Sequence, residues 1–261
     1  MKKIELPEQK KLLVEMLKYI TDICDKHNIK YSLIGGSLIG AIRHKGIIPL
    51  DDDIDIILMP EEYDKLINAL ENTNHYYKLY HPNDNNYLYP FAKLVDTRTI
   101  LKEKNIKTAN DMGVYVDIFK YHYVSNNNFL RKMHYKRLFF IQTMFARAML
   151  YPKDIKNIKS KIIVILANIF GPRYFKRRHM HICNKVKPTN YILSNWPAYG
   201  YLKEIQDARS YTEYKKVPFE KIQAYITKDY DKVLRTTFND YMTLPPKEKR
   251  VAKHDTEIYW K

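Results

Sequence analysis

A chain of 261 residues can bury a sizeable core, either as one large domain or as a domain with an appended lobe. Its 45 Lys and Arg against 29 Asp and Glu leave a formal net charge of +16, which implies an anionic partner. The two cysteines, Cys24 and Cys183, lie far apart in apolar stretches without metal-ligand spacing; this excludes a disulfide framework and reads as reduced core residues of a cytoplasmic protein.

Residues 7–27 carry Leu12, Leu13, Met16, Leu17, Ile20, Ile23 and Cys24 at helical spacing behind a first-turn Pro7, which predicts a helix packed on a sheet. The charges of residues 1–11, with Glu15 and Lys18 after them, form no secretory leader pattern, so export is not expected. An apolar run over 31–34 then enters Gly35-Gly36-Ser37. Two glycines let the chain turn sharply and bring backbone N–H groups close to a phosphate, and Ser37 is placed to cap a helix beginning at Leu38.

Asp51, Asp53 and Asp55 follow at alternate positions. Ile54, Ile56 and Leu58 alternate with Asp53 and Asp55, so on a strand the carboxylates share one face while the aliphatic side chains share the other. Residues two apart on a strand are separated by roughly 6.5–7 Å, which lets two carboxylates bend onto one hard cation. Left to themselves, two unit charges about 4 Å apart repel by roughly 1 kcal/mol in water and about four times that at a protein surface. The cluster of Asp51, Asp52, Asp53 and Asp55 therefore calls for Mg²⁺ or Mn²⁺, which prefer oxygen ligands and also bind substrate phosphates. Metal-assisted phosphoryl transfer is the chemistry expected.

Pro60-Glu61-Glu62 opens a predicted helix to residue 70, with its acids where the helix dipole favours them. Residues 76–80 and 87–95 read as strands; the second holds Lys93 and also Pro90, which places it at an edge or bulge. After Gly113, Val114, Val116 and Ile118 alternate with Tyr115, Asp117 and Phe119. Burying a lone carboxylate on such a strand is costly, so Asp117 is expected to face a functional cleft.

From 131 to 187 there are fifteen Lys and Arg against one acid, Asp154, so nearly all of the excess charge falls here. Helices are predicted over 129–150, 155–170 and 174–187, broken at Tyr151-Pro152 and Gly171-Pro172. Apolar and basic positions alternate at helical spacing, which fits a helix lying on an anionic membrane and equally a lobe whose basic face is solvated. No groove-reading motif or RNA-binding aromatic signature is present, so nucleic acid is not the expected partner. The longest apolar stretch, 162–170, includes Asn168 and falls short of the roughly 20 residues of a membrane span.

Tyr191, Trp196, Tyr199 and Tyr201 lie close together in the chain, and aromatic faces of this kind bind quaternary ammonium groups, although with 23 tyrosines in the chain core packing competes for each of them. Residues 217–220 and 222–226 look like paired extended segments, and Thr227 is placed to cap a helix ending near Phe238.

Residues 35–56, GGSLIGAIRHKGIIPLDDDIDI, resemble the signature of the LicD family, GG-[ST]-L-[LI]-G-A-x-R-H-x-G-x-I-P-W-DDDIDI; Leu50 stands where the family usually has tryptophan. The likeness extends to Lys93 before a D-x-x-T turn, to the V-D-I-F run ending at Phe119, and to a terminal PP-x-x-x-R segment with a histidine; it is dense over 12–119 and 217–260. The resemblance implies an α+β, nucleotidyltransferase-like mixed sheet flanked by helices (1–125) and a C-terminal segment returning to the core (189–261); the basic helical lobe inserted between them (126–188) lies outside the resemblance and is read from charge and periodicity. It also implies transfer of phosphocholine from CDP-choline to a sugar hydroxyl of a lipopolysaccharide or teichoic acid precursor. Asp53, Asp55 and Asp117 would hold Mg²⁺ or Mn²⁺, with Asp51 in support. Gly35, Gly36 and Ser37 would cradle the donor diphosphate, with Arg43, Lys93, Arg250 and His254 near the phosphates. Such an enzyme is expected in the cytoplasm; the charge and spacing of the basic lobe, outside the resemblance, leave it either resting on the inner face of the cytoplasmic membrane or simply solvated. Two alternatives remain at this point: a nucleotidyltransferase moving a nucleotidyl group from an NTP to RNA, protein or a small molecule, and a membrane-surface or polyanion-binding protein with a degenerate core, against which the intact aspartates argue.

Overall fold

The computed structural model describes residues 1–71, 76–103, 106–107, 112–184, 187–244, 246 and 256–261. The first part of the chain alternates helix and strand: α1 (Leu6–Lys26), β1 (Ser32–Leu33), α2 (Gly35–Arg43), β2 (Asp55–Leu58) and α3 (Pro60–Glu71). Four strands follow, β3 (Tyr77–Tyr80), β4 (Ala92–Asp96), β5 (Thr99–Glu103) and β6 (Tyr115–Val124), and then two long helices, α4 (Asn128–Ala148) and α5 (Ile158–Cys183). The remainder comprises β7 (Tyr191–Ser194), α6 (Tyr201–Glu204), β8 (Gln206–Asp207), β9 (Tyr214–Phe219), β10 (Ile222–Thr227), α7 (Tyr230–Phe238) and β11 (Thr256–Trp260). The fold is α+β, as expected.

The main sheet has the order β1-β2-β6-β4-β3, and β7 joins the far half of β6 and carries β8 at its other edge. β2 and β6 are parallel, whereas the other pairs in this sheet are antiparallel, so the sheet is mixed. β9 with β10 forms a hairpin, and β11 pairs with β5.

The apolar stripe of α1 forms the centre of the core: Leu12, Leu13, Met16, Leu17, Ile20 and Cys24 are buried, together with Ile54, Ile56, Val116 and Ile118 of the sheet region. Burial of each large aliphatic side chain contributes about 1.5–3 kcal/mol. Cys24 and Cys183 are free, buried and in different clusters, as expected.

Several predicted boundaries and caps shift. The strand expected over 87–95 is limited to β4, because Pro90 has no N–H to give a ladder; the segment before it is held instead by the Tyr87 hydroxyl donating to the Phe91 carbonyl. Thr227 does not cap α7 but closes β10, where its hydroxyl bonds the Ser210 carbonyl and accepts the Asp229 N–H. The break at Gly171-Pro172 is present as a kink inside α5: Gly171 takes φ 74° and ψ 162°, a left-handed value that suits glycine, and a residue before proline is driven out of helical geometry.

Candidate active site

Strand register assembles the charged residues. Asp55 on β2 is directly paired with Asp117 on β6, and Lys93 on β4 is paired with Asp117 from the other side. Side chains at paired positions of adjacent strands lie on the same face, so a carboxylate, a carboxylate and an ammonium stand abreast. Lys93 is buried, forms an ion pair with Asp117, and holds its Nζ 3.3 Å from the ring centroid of Tyr115, with the Tyr89 ring at 5.1 Å. It is not a solvated strand lysine.

The other carboxylates come from the loop before β2. This loop is fixed from α1: Gln9 donates to the Asp52 carbonyl at 2.7 Å, and the Lys10 ammonium donates to the carbonyls of Ile48 and Pro49 at 2.8 Å. One oxygen from each of Asp51, Asp52 and Asp53 then lies within 4.8 Å of the others. β2 begins only at Asp55, so Asp53 precedes the strand rather than sharing its face. The Asp55 carboxyl is held well above its ordinary range, first by burial and next by repulsion from Asp53 and Asp117, with Lys93 opposing the shift.

The glycine turn abuts this cluster. Gly35 adopts φ 58°, and a Cβ there would lie 3.6 Å from the Tyr199 hydroxyl and 4.0 Å from Asp55 Oδ2; a Cβ on Gly36 would come to 2.6 Å of Asp51 Oδ2. Ser37 does not act as a helix cap. α2 begins two residues earlier, with Ile34 in the cap position, and the buried Ser37 hydroxyl accepts the Asp55 N–H at 2.9 Å, tying the turn to the carboxylate strand. Ser37→Ala should leave that N–H without its acceptor and destabilise the protein by about 1–3 kcal/mol. Gly36→Ala should displace the Asp51 carboxylate and lower activity more than Ser37→Ala does. Urea unfolding and turnover measured on both variants check this, and equal, small losses of activity would contradict it.

Arg43 Nη1 donates to the carbonyls of Tyr241 and Thr243 at 2.7 and 3.5 Å, so it binds the C-terminal segment to α2. Arg250 and His254 lie outside the described residues. The aromatic set 191–201 does not converge into one cage. Tyr191 lies under the Arg131 guanidinium, Trp196 packs among Phe91, Phe145 and His179, and Tyr201 packs on Tyr135 while its hydroxyl bonds Asn128.

Tyr199 alone of these reaches the aspartates. It is 44% exposed and its ring packs edge-on against Phe238; burial and then the charges of Asp55, Glu204, Asp53 and Asp51 push its hydroxyl up to about 12. The Glu204 carboxylate accepts the backbone N–H groups of both Ala198 and Tyr199 and so sets this loop. Clustering in the chain offers Tyr199 only as one of four aromatic candidates and does not single it out. The local cue is that Pro197 and Gly200 bracket it, which marks a constrained loop, but nothing in the chain around it says which surface the loop meets.

Among the described residues the carboxylates close enough to share one ion are those of Asp51, Asp52 and Asp53; of the expected ligands Asp53 is in this group, whereas Asp55 and Asp117 are not, although burial and then the charges of Asp53 and Asp117 disfavour ionisation of Asp55. These residues fit a hard divalent cation.

The family described as "LicD/FKTN/FKRP, nucleotidyltransferase domain" matches residues 28–156, a span that includes the glycine turn, the aspartate loop, Lys93 and Asp117. The chain is 30% identical over 270 aligned positions to the lipopolysaccharide cholinephosphotransferase LicD of Haemophilus influenzae, covering 99% of each protein. Uncharacterised proteins of Rickettsia typhi and Rickettsia prowazekii are each 45% identical over 62 residues, 23% of this chain and 20% and 23% of theirs. Similarity that continues past the motif and through both chains almost end to end reflects common descent, and the chain belongs to the LicD family.

Proposed function

We propose that this protein transfers phosphocholine from CDP-choline to a sugar hydroxyl of a cell-surface glycan such as a lipopolysaccharide precursor. The supporting observation is that the glycine turn and the carboxylates of β2, β6 and the 51–53 loop meet at one place in a chain aligned almost end to end with a lipopolysaccharide cholinephosphotransferase.

Asp53, Asp55 and Asp117, with Asp51 beside them, would hold Mg²⁺ or Mn²⁺, which supplies neutralising charge for the transferred and leaving phosphates. The turn at Gly35 and Gly36 offers close backbone approach to the donor diphosphate, a contact that a side chain at either position would obstruct. Lys93 holds Asp117 in place and limits the repulsion it exerts on Asp55. In the transfer, the acceptor oxygen attacks the phosphorus bearing choline. The bond from that phosphorus to the bridging oxygen breaks, CMP leaves with the electron pair, and the hydroxyl proton passes to a carboxylate of the set. The half-exposed Tyr199, beside the glycine turn, would offer an aromatic face to the quaternary ammonium.

The test is incubation of the purified protein and a glycan acceptor with CDP-choline, CDP-ribitol or CDP-glycerol in the presence of Mg²⁺. CMP release is expected with CDP-choline and should stop on addition of EDTA. CMP release confined to another CDP-alcohol would overturn the phosphocholine assignment, and pyrophosphate release from an NTP would overturn the reaction class.

A further inference from the structure

α5 changes character at its Gly171 kink. Beyond it the helix packs conventionally, burying Phe175, His179 and Ile182. Before it the pattern is inverted: the small residues Val164 and Ala167 are fully buried, while Ile158 is 75% and Ile169 71% exposed, and Ile162, Ile165, Leu166 and Phe170 are exposed with them. Positions 158, 162, 165 and 169 recur every three or four residues and so form one continuous side of the helix. On an ordinary surface helix that side is polar.

Exposed Lys159 and Lys161 lie on this part of α5, and exposed Lys153, Lys156 and Arg173 flank it in the chain. α4, packed along α5, exposes Met133 and Phe140 beside Lys132, Lys136 and Arg137. Not every basic residue of the region belongs to this collar. Arg131 is buried and donates to the carbonyls of Ser125 and Asn126, and buried Lys176 donates to those of Asp84 and Tyr87; both are structural. No described helix is long and apolar enough to cross a membrane.

We propose that the outward side of α5 before the kink, with the adjoining side of α4, docks in the plane of a bilayer rich in anionic phospholipid. The Ile, Leu and Phe side chains enter the boundary between head groups and acyl chains, and the Lys and Arg collar lies among the phosphates with its aliphatic stems over the apolar patch. Charge and apolarity together select this occupant. A second copy of the chain would set two strongly basic regions against each other. Nucleic acid would satisfy the collar but give the exposed isoleucines and phenylalanine nothing to bury against. This surface does not depend on the proposed transfer chemistry, and it is tested without any donor, so its failure would leave that reading untouched.

The experiment is sedimentation of the full chain with vesicles of phosphatidylcholine alone or mixed with phosphatidylglycerol. Binding should require the anionic lipid and weaken at least about tenfold as added salt shortens the screening length from about 10 Å at 0.1 M to about 3 Å at 1 M. The charge-reversed variant Lys156→Glu/Lys159→Glu/Lys161→Glu should bind about a hundredfold more weakly. Ile162→Ser/Ile165→Ser/Ile169→Ser should also lose binding while keeping the wild-type circular dichroism, since these positions are exposed. Ile165→Trp should shift its emission to the blue on vesicles and be quenched by brominated lipid. Equal binding to neutral and anionic vesicles would overturn the proposal. So would undiminished binding of the serine variant, which would mean attraction to any polyanion, or a wild-type dimer that the serine variant turns into a monomer.

Discussion

Asp55→Asn is expected to lower phosphocholine transfer by on the order of 10²–10³-fold, because it removes charge from the centre of a preorganised anionic site while keeping its shape. In metal-free protein the same change should raise the melting temperature. Asp55 is disfavoured as a carboxylate by burial and by Asp53 and Asp117, so the neutral amide relieves repulsion that the native side chain carries. A carboxyl whose affinity for protons is higher folded than unfolded stabilises the fold on protonation. Metal-free wild type should therefore gain stability, relative to Asp55→Asn, as pH falls from neutrality through the raised titration of Asp55. The difference between the two proteins should be largest above that range and shrink below it. Adding Mg²⁺ should raise the melting temperature of wild type more than that of the variant. Thermal scans across pH, with and without Mg²⁺, check each sign; a destabilised asparagine variant in EDTA would mean that Asp55 is held by partners that outweigh its neighbours' repulsion.

Lys93→Met is expected to be the most damaging single change to stability at the site, costing about 3–5 kcal/mol, because it removes a buried ammonium and leaves the partly buried Asp117 carboxylate without its paired charge. The loss should be visible as a lower urea midpoint with little change in slope. Lys93→Met combined with Asp117→Asn should recover much of the stability and none of the activity, since the double variant removes both charges but also a carboxylate of the reaction centre. Mg²⁺ should partly rescue Lys93→Met and not the double variant. Independent, additive losses in the two single variants and no rescue in the double would show that the pair does not act as a unit.

How much of this was legible in the chain differs from one piece to the next. The helix over 7–27, the turn at Gly35 and Gly36, and the crowding of aspartates at 51–55 are local matters. Periodicity, glycine freedom and like-charge repulsion act over a few residues, and the structure keeps all three. The same holds for the break at Gly171-Pro172, where one residue's backbone demand decides the outcome. Even here the local reading slipped where two local choices competed: Ser37 suited a cap, but the glycine turn started the helix earlier and left the hydroxyl to Asp55.

Chain order alone determined that a carboxylate cluster follows a phosphate-sized turn, that Asp117 sits singly on an apolar strand, and that most of the excess positive charge lies in one helical stretch. Only the tertiary structure decided that β6 lies between β2 and β4, so that Asp117 stands between Asp55 and Lys93, and that Tyr199 comes against Gly35 while Trp196 and Tyr201 go to other clusters. It also decided which apolar residues of α5 face outward. The reason is that strand register and the choice of a helix's buried side are set by contacts among segments distant in sequence, where many pairings satisfy the same local pattern and packing of the whole core selects one.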